Sequence, residues 1–455
     1  MGSPSAGTRG ALDGLGRWRG AGCVPRGGAG CEARAAGSAA ERALFLSRQA
    51  LAGLIEQHHG DRIEVSIVDV WTVYTGWPFN RMVRQYRYMQ SRPALWYSMY
   101  KVSAFPPTRF FFNSAQRLLA FSGIRACLEE HKPDLVISMH PLCQTVPLQA
   151  LAAVEDAARK HKLSLGPTPA LAPVLAEAAG EAPEEEEETI RRRRRRRHVP
   201  FVTVVTDLGA AHPLWLHPGV DLCFVPSDAF VRAAKLKGLK PNQLRLHGLP
   251  VRQDFTLQRR RGAAARRELG LRPDRKTVLI VGGGDGVGKL GAIVQALGEK
   301  LGQSGAPMQM VVVCGRNARL QRQLREQEWP PSVHVVVEGF VSRMSEFMAA
   351  ADCIVTKAGP GTIAEASICG LPVMLSGHLP GQETGNVKHV LHHGFGSYSR
   401  NPRIIAKTVA KWLDEPSTLE RLSANARAAA RPGATYEIVR DVVELLDRGP
   451  PVGAS

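Results

Sequence analysis

The stretch Thr356-Lys357-Ala358-Gly359-Pro360-Gly361-Thr362-Ile363-Ala364-Glu365-Ala366 passes from a strand-like run through a glycine turn into a helical pattern. Glycines let backbone N–H groups close on a phosphate, and a helix N-terminus adds partial positive charge, so the turn suits a diphosphate. Glu365 would then accept two ribose hydroxyls. The same residues also have a purely structural account: Thr362-x-x-Glu365 is spaced as a capping box, in which hydroxyl and carboxylate satisfy free helix N–H groups. A second glycine turn, 282–288 with Gly284 at its centre, likewise follows a strand pattern and precedes a helix. No Gly-Lys-Ser/Thr follows it, and no separate acidic residue about 20 positions on closes a ribose, so it is neither a P-loop nor a clean dinucleotide fingerprint. A third loop, with Gly381, Gln382, Glu383, Gly385 and Asn386, offers amide and carboxylate groups to sugar hydroxyls.

The first half brings Asp207 and His212 to a strand end, and His140 to another. A histidine beside a carboxylate serves as a general base near neutral pH, although a helix cap needs the same residue types. There is no Gly-x-Ser-x-Gly, no His-Glu-x-x-His and no Asp-rich calcium loop. The eight cysteines are scattered without a Cys-x-x-Cys, so they read as packing thiols and no metal site is expected.

These residues need elements to hold them. Leu44, Leu51, Leu54 and Ile55 predict an amphipathic helix over 41–59, and 63–70 reads as a strand. Residues 129–139 repeat the helix-to-strand step, and 201–205 is another strand. After Gly248-Leu249-Pro250-Val251-Arg252, whose Gly and Pro suit a hinge, strand and helix patterns alternate over about 110 residues, as in βαβ units. Two doubly wound parallel sheets joined by that hinge are the simplest architecture, with ligands at the carboxyl ends of the strands. Residues 154–198, with Glu at 184–188 and Arg at 191–197, read as a disordered low-complexity insertion, because like-charge blocks repel and bury no surface.

Fifty-nine Lys and Arg against 41 Asp and Glu leave a net charge of +18, of which the Arg run supplies seven. That balance favours anionic partners: nucleotides, nucleic acid or an acidic membrane surface. Aromatic residues do not interleave with the Arg run as stacking platforms would, so nucleic acid is not expected as a partner. No apolar run approaches the roughly 18 residues that span a bilayer, so membrane contact is expected to be peripheral. Residues 77–112 combine Trp77, Trp96, Tyr97, Tyr100 and several Phe with Pro and basic residues, which suits either an interfacial segment or a core. Residues 1–39, rich in Gly, Ala and Arg with only Asp13 and Glu32 acidic, read as a transit peptide or a non-native leader.

The motifs Val70-Trp71-x-x-Tyr74-Thr75-Gly76-Trp77-Pro78, His140-Pro141-Leu142, Val205-Thr206-Asp207-Leu208, Gly248-Leu249-Pro250-Val251-Arg252, Cys314-Gly315-Arg316-Asn317, the 356–366 turn and Gly381-Gln382-Glu383-x-Gly385-Asn386 occur in this order. In that series the chain resembles the monogalactosyldiacylglycerol synthases from about residue 51 to 446, apart from the insertion. The resemblance implies an α/β GT-B fold of two Rossmann-like domains facing across a cleft. It implies inverting transfer of galactose from UDP-galactose to 1,2-diacylglycerol by a monotopic enzyme of the chloroplast envelope membrane, activated by anionic lipids. No tightly bound cofactor is implied, and a homodimer is left open. By position, Gly359, Pro360, Gly361 and Thr362 would meet the diphosphate and Glu365 the ribose, with Thr356 also among the substrate-binding residues. Gly381, Gln382, Glu383, Gly385 and Asn386 would lie on the galactose side. Pro250, Gly284 and Arg316 would lie near the nucleotide, while Trp77, Pro78 and Trp215 would face lipid.

The resemblance also sets an expectation the sequence does not meet. The family opens with a strand and a Gly-Gly-Gly-His loop whose histidine is the favoured base, and that loop should fall near 41–44, where Glu41-Arg42-Ala43-Leu44 stands. The opening strand is expected to be missing as well. Asp207 or His212 would then act as base, and the alternative is an inactive homologue that binds nucleotide sugar or anionic lipid. The expected partition is a leader at 1–39, an acceptor and membrane domain at 40–250, a UDP-sugar domain at 251–435, and a C-terminal helix and tail at 436–455.

Overall fold

The computed structural model describes residues 18–20, 39–90, 92–164, 199–209, 212–257, 262–282 and 290–448. The first half contains β1 (Trp18–Gly20) paired in parallel with β2 (Ile63–Val65), and β3 (Val136–Ser138), β4 (Phe201–Val204), β5 (Leu222–Val225) and β6 (Leu244–Leu246) in one parallel sheet in that order. The second half forms a six-stranded parallel sheet from β7 (Lys276–Val281), β8 (Met308–Val313), β9 (Val333–Glu338), β10 (Cys353–Lys357), β11 (Val373–Gly377) and β12 (Gly396–Tyr398). Its order is β12-β11-β10-β7-β8-β9. The order reverses between β7 and β10, so the crevice of a doubly wound sheet opens at their carboxyl ends. The β10 end leads into the 358–362 glycine turn; residues 283–289, after β7, lie outside the described residues.

Apolar runs explain why these strands lie inside. Leu279, Val311, Ile354 and Val373 face one helical layer, while Val278, Ile280, Met310, Val312, Val355 and Met374 face the other. Both sheet faces are covered, as parallel strands require. The last helix, Ala434–Asp447, leaves the second domain and packs Ile438, Val439, Val442 and Leu446 on Leu51, Leu54, Val202 and Phe224 of the first. His247 bridges to Glu437 and Asp441, and Arg62 to Asp447, fastening that return. These are the two facing Rossmann-like domains of a GT-B fold.

Four expectations change. A three-residue strand, β1, does precede the first helix, although the run Trp18-Arg19-Gly20 has no apolar alternation to announce it. The expected strand over 63–70 stops at Val65, because Asp69 accepts the Thr72 N–H at 3.1 Å and starts the helix Val70–Tyr74. The helix Thr145–Ser164 runs through the first part of the expected insertion, on good helix formers such as Ala157, Ala158, Arg159 and Lys160. Glu155 accepts the Val199 N–H at 2.7 Å and so ties the two flanks together; residues 165–198 lie outside the described residues, as do 1–17 and 21–38 of the leader. Finally, the 77–112 segment is both core and surface: Phe79 and Trp96 are buried, whereas Trp77, Tyr88, Phe105, Phe110 and Phe111 are exposed.

Candidate functional site

On the second-domain side, Gly359 caps the helix Pro360–Ile368 without a side-chain bond, and Pro360 occupies its first position. A proline there suits the fixed φ of a helix start and forfeits no hydrogen bond. Thr362 is therefore already inside the helix, and the capping box expected from Thr362 and Glu365 is not made. Among the described residues no protein group hydrogen-bonds the Glu365 carboxyl, which is 7% exposed. Burial pushes its pKa up to about 8; the nearby Arg252 opposes that rise and Asp254 adds to it. Arg252 and Asp254 belong to the hinge, so Glu365 lies where the domains meet. Thr356 is buried at the end of β10. Arg316 is exposed after β8, its guanidinium 5.9 Å from the Phe340 ring. The Pro250 carbonyl accepts the Ser47 hydroxyl at 3.0 Å, and the first helix, Ala39–His59, packs against Pro360–Ile368. Gly284 lies outside the described residues.

The loop after β11 faces the first domain. Asn386 is fully buried: its Oδ1 accepts the N–H groups of Leu208 (3.2 Å) and Gly209 (3.0 Å), and its Nδ2 donates to the Ala358 carbonyl (2.9 Å). Both ends of its amide are thus spent on protein backbone, so the galactose-side role expected for Asn386 is overturned; Glu383 is 2% exposed, while Gln382 is half-buried. The Glu383 Oε2 accepts the Leu379 N–H at 2.7 Å. The Gly381 N–H donates to Thr384 Oγ1 at 3.0 Å. Gly385 is buried against Gly209, with no room for a Cβ on the latter.

Across from this loop, Asp207 accepts the Trp215 indole N–H at 2.8 Å. Burial raises its pKa to about 6; the indole hydrogen bond holds it down and the Glu383 charge lifts it. Trp215 is only 2% exposed, so the lipid-facing role expected for it is overturned: its ring fills the first-domain core and its N–H orients Asp207. Trp77, 75% exposed beside a half-buried Pro78, does stand at the surface. His212 is engaged at both ring nitrogens, Nδ1 accepting from Leu214 N (3.3 Å) and Nε2 meeting Ser103 Oγ (3.1 Å). Burial brings its pKa down to about 4, so it is a neutral cap for Pro213–Trp215. His140 is similarly held, its Nδ1 accepting the Leu142 N–H, with burial and Arg48 lowering it to about 4. Of the two base candidates, His212 has both ring nitrogens engaged, whereas the one Asp207 side-chain hydrogen bond among the described residues is from the Trp215 indole.

The family model for monogalactosyldiacylglycerol (MGDG) synthase matches residues 46–159 and 186–251, and the glycosyltransferase family 28 C-terminal domain matches 277–436. Monogalactosyldiacylglycerol synthase 1, chloroplastic, of Arabidopsis thaliana is 36% identical over 405 residues, covering 88% of this chain and 68% of that one. The chain belongs to the monogalactosyldiacylglycerol synthase family. The spinach (Spinacia oleracea) family member is also 36% identical, covering 88% of this chain and 70% of its own. The S. aureus MnaA–UDP structure shares the fold, with a TM-score of 0.51 at 13% identity over 89% of this chain and 94% of that one. In this monogalactosyldiacylglycerol synthase homologue the sequence motifs miss Tyr86, Ser103 and Asp254, and they give Tyr100 no contact with the second domain, although its ring packs on Gly381. Tyr86, Tyr100 and Ser103 sit in the 77–112 segment, where helical spacing of aromatic residues signals a packed face without saying which element it meets. Among the described residues no cluster of three or more His, Cys, Asp or Glu forms a metal site, and no helix is long and apolar enough to cross a membrane.

Proposed function

We propose that this chain transfers galactose from UDP-galactose to the free hydroxyl of 1,2-diacylglycerol, with inversion, at the surface of a plastid envelope membrane. The observation that carries the reading is Glu365, a buried carboxyl to which no group among the described residues donates a hydrogen bond, placed behind a glycine turn at the strand-order reversal. A buried polar group left unpaired costs free energy, and two ribose hydroxyls are suited to relieve it. The N–H groups at the start of helix Pro360–Ile368 then face the diphosphate and stabilise the departing UDP. Asp207, poised near neutrality at the opposing strand end, takes the acceptor proton as the hydroxyl attacks in line. Exposed Trp77, Phe105, Phe110, Phe111 and Leu118 with Arg81, Lys101 and Arg117 bring the acceptor by resting in an anionic lipid surface, which would act as activator.

The test is incubation of the full chain with radiolabelled UDP-galactose and vesicles holding diacylglycerol and an anionic lipid. A galactolipid product supports the transferase. UDP binding without product supports the inactive homologue that Leu44, in place of a loop histidine, suggests; no UDP binding removes both.

A further inference from the structure

Helices Met82–Gln90 and Pro93–Ala104 expose Val83, Tyr88, Leu95, Tyr97 and Val102, yet turn a row of rings inward. Tyr86 meets Trp96 edge to face with centroids 4.9 Å apart, Trp96 meets Tyr100 at 6.4 Å, and Tyr100 meets His212 at 4.9 Å. Trp96 is buried, so the row is packed rather than loose. It touches the loop after β11 twice. The Tyr86 hydroxyl donates to Gln382 Oε1 at 3.1 Å. The Tyr100 ring covers Gly381 so closely that a Cβ there would stand 2.5 Å from Cδ1, and Gly381 has φ +86°. Only glycine meets both conditions readily.

We propose that Tyr86 is a positioning residue for the donor hexose, supplied by the first domain. A loop glutamine whose amide is unheld samples several rotamers and both amide orientations; Gln382 is half-buried. With Oε1 held by Tyr86, Gln382 keeps one rotamer and directs its Nε2 donors to the hexose hydroxyls. The Tyr100 ring over Gly381 sets how far the loop stands from the cleft. A hydroxyl that changes direction between epimers meets a fixed donor in one sugar and misses it in the other, which is how a hydrogen-bonding site discriminates. The inference rests on the reading that loop 381–386 faces the hexose of a UDP-sugar.

The test needs no turnover. Titration calorimetry on the full chain with UDP, UDP-galactose and UDP-glucose compares the wild type with Tyr86→Phe, Gln382→Ala and the double variant. Tyr86→Phe keeps the ring on Trp96 and removes the hydroxyl that donates to Gln382. It is expected to leave UDP affinity unchanged, weaken UDP-galactose three- to tenfold, the range of one hydrogen bond, and narrow the galactose preference over glucose. The double variant should be no weaker than Gln382→Ala. Should Tyr86→Phe match the wild type, or weaken UDP and UDP-galactose by one common factor, Tyr86 is merely structural and the proposal falls. If Gln382→Ala also leaves the UDP-galactose to UDP ratio intact, the reading of the loop falls with it. Gly381→Ala, which must push Tyr100 away, checks the clasp from the other side and is expected to weaken UDP-galactose while sparing UDP.

Discussion

If Glu365 receives the donor's ribose, as proposed, donor binding is a proton-linked event. In the empty site its pKa is about 8, against 4.5 for the free side chain, with burial the main cause. At pH 7 only about 9% of the molecules carry the carboxylate, by the one-unit difference. Two ribose hydroxyls donate to an ionised carboxylate far better than to a neutral acid, so binding pulls the group into its charged form and releases about 0.9 proton per UDP-galactose at pH 7. Affinity should therefore rise close to tenfold between pH 7 and 9, about 1.4 kcal/mol, and level off beyond. UDP-galactose is the right probe, because a terminal phosphate titrates near pH 6 by itself and a diester does not. Calorimetry at pH 7 in buffers of different ionisation enthalpy reads the proton directly. Glu365→Gln should abolish both the release and the pH slope, and should weaken binding roughly 10- to 100-fold at pH 9, the range for a hydrogen bond to a charged group. The sign for folding is the reverse of the usual carboxylate case. A raised pKa costs nothing below about 4.5, where both states are protonated, and its full penalty stands above about 8. Without ligand, Glu365→Gln should thus gain stability over the wild type as pH rises from 5 to 8.5. Donor affinity flat from pH 6 to 9 with no proton released would refute the carboxylate–ribose assignment.

Asp207→Asn preserves an acceptor for the Trp215 indole while removing the base, so kcat should fall about 10²- to 10⁴-fold with UDP-galactose affinity retained; the wild-type rate should climb through an apparent pKa near 6, and an unchanged rate in the variant would remove Asp207 from the chemistry. Asn386→Ala strands the Leu208 and Gly209 N–H groups and should cost about 2–4 kcal/mol. In a scan of thermal unfolding that appears as a drop of about 5–10 °C, and an unaltered Tm would mean these bonds are not made in solution. Phe110→Ser with Phe111→Ser removes two rings about 70% exposed. Sedimentation with anionic vesicles should show at least tenfold weaker partitioning, from about 1.5–3 kcal/mol per buried ring, with Tm unmoved; equal partitioning would place the membrane face elsewhere.

What the sequence made legible follows from where each signal is local. The parallel sheets were readable because strands buried on both faces appear as runs such as Val278-Leu279-Ile280 and Met310-Val311-Val312. The 358–362 turn was readable because glycine and Pro360 fix backbone geometry within a few residues. Glu365 was ambiguous for the same reason: a capping box and a ligand carboxylate share one spacing, and only the true helix start at Pro360 separates them. Trp215 was assigned to lipid only by its position in the family pattern, and the structure instead buries its indole against Asp207, as an aromatic ring with a polar N–H allows. Tyr86 was missed because its partner, Gln382, lies 296 positions away.

The same distinction bears on how the fold tolerates Leu44 where relatives of the family are expected to place a loop histidine. The first helix no longer waits for a glycine loop to begin; it starts at Ala39, and Ser47 ties it to the Pro250 carbonyl at the hinge. Its contact with Pro360–Ile368 holds the two strand-end faces together from one side. Asn386 holds them from another through Leu208 and Gly209, the residues that directly follow Asp207. The backbone beside Asp207 is thus tied directly to the second domain, and the Glu383 charge raises the Asp207 pKa across the same contact. Asp207 therefore sits on the segment that Asn386 of the second domain holds by two hydrogen bonds.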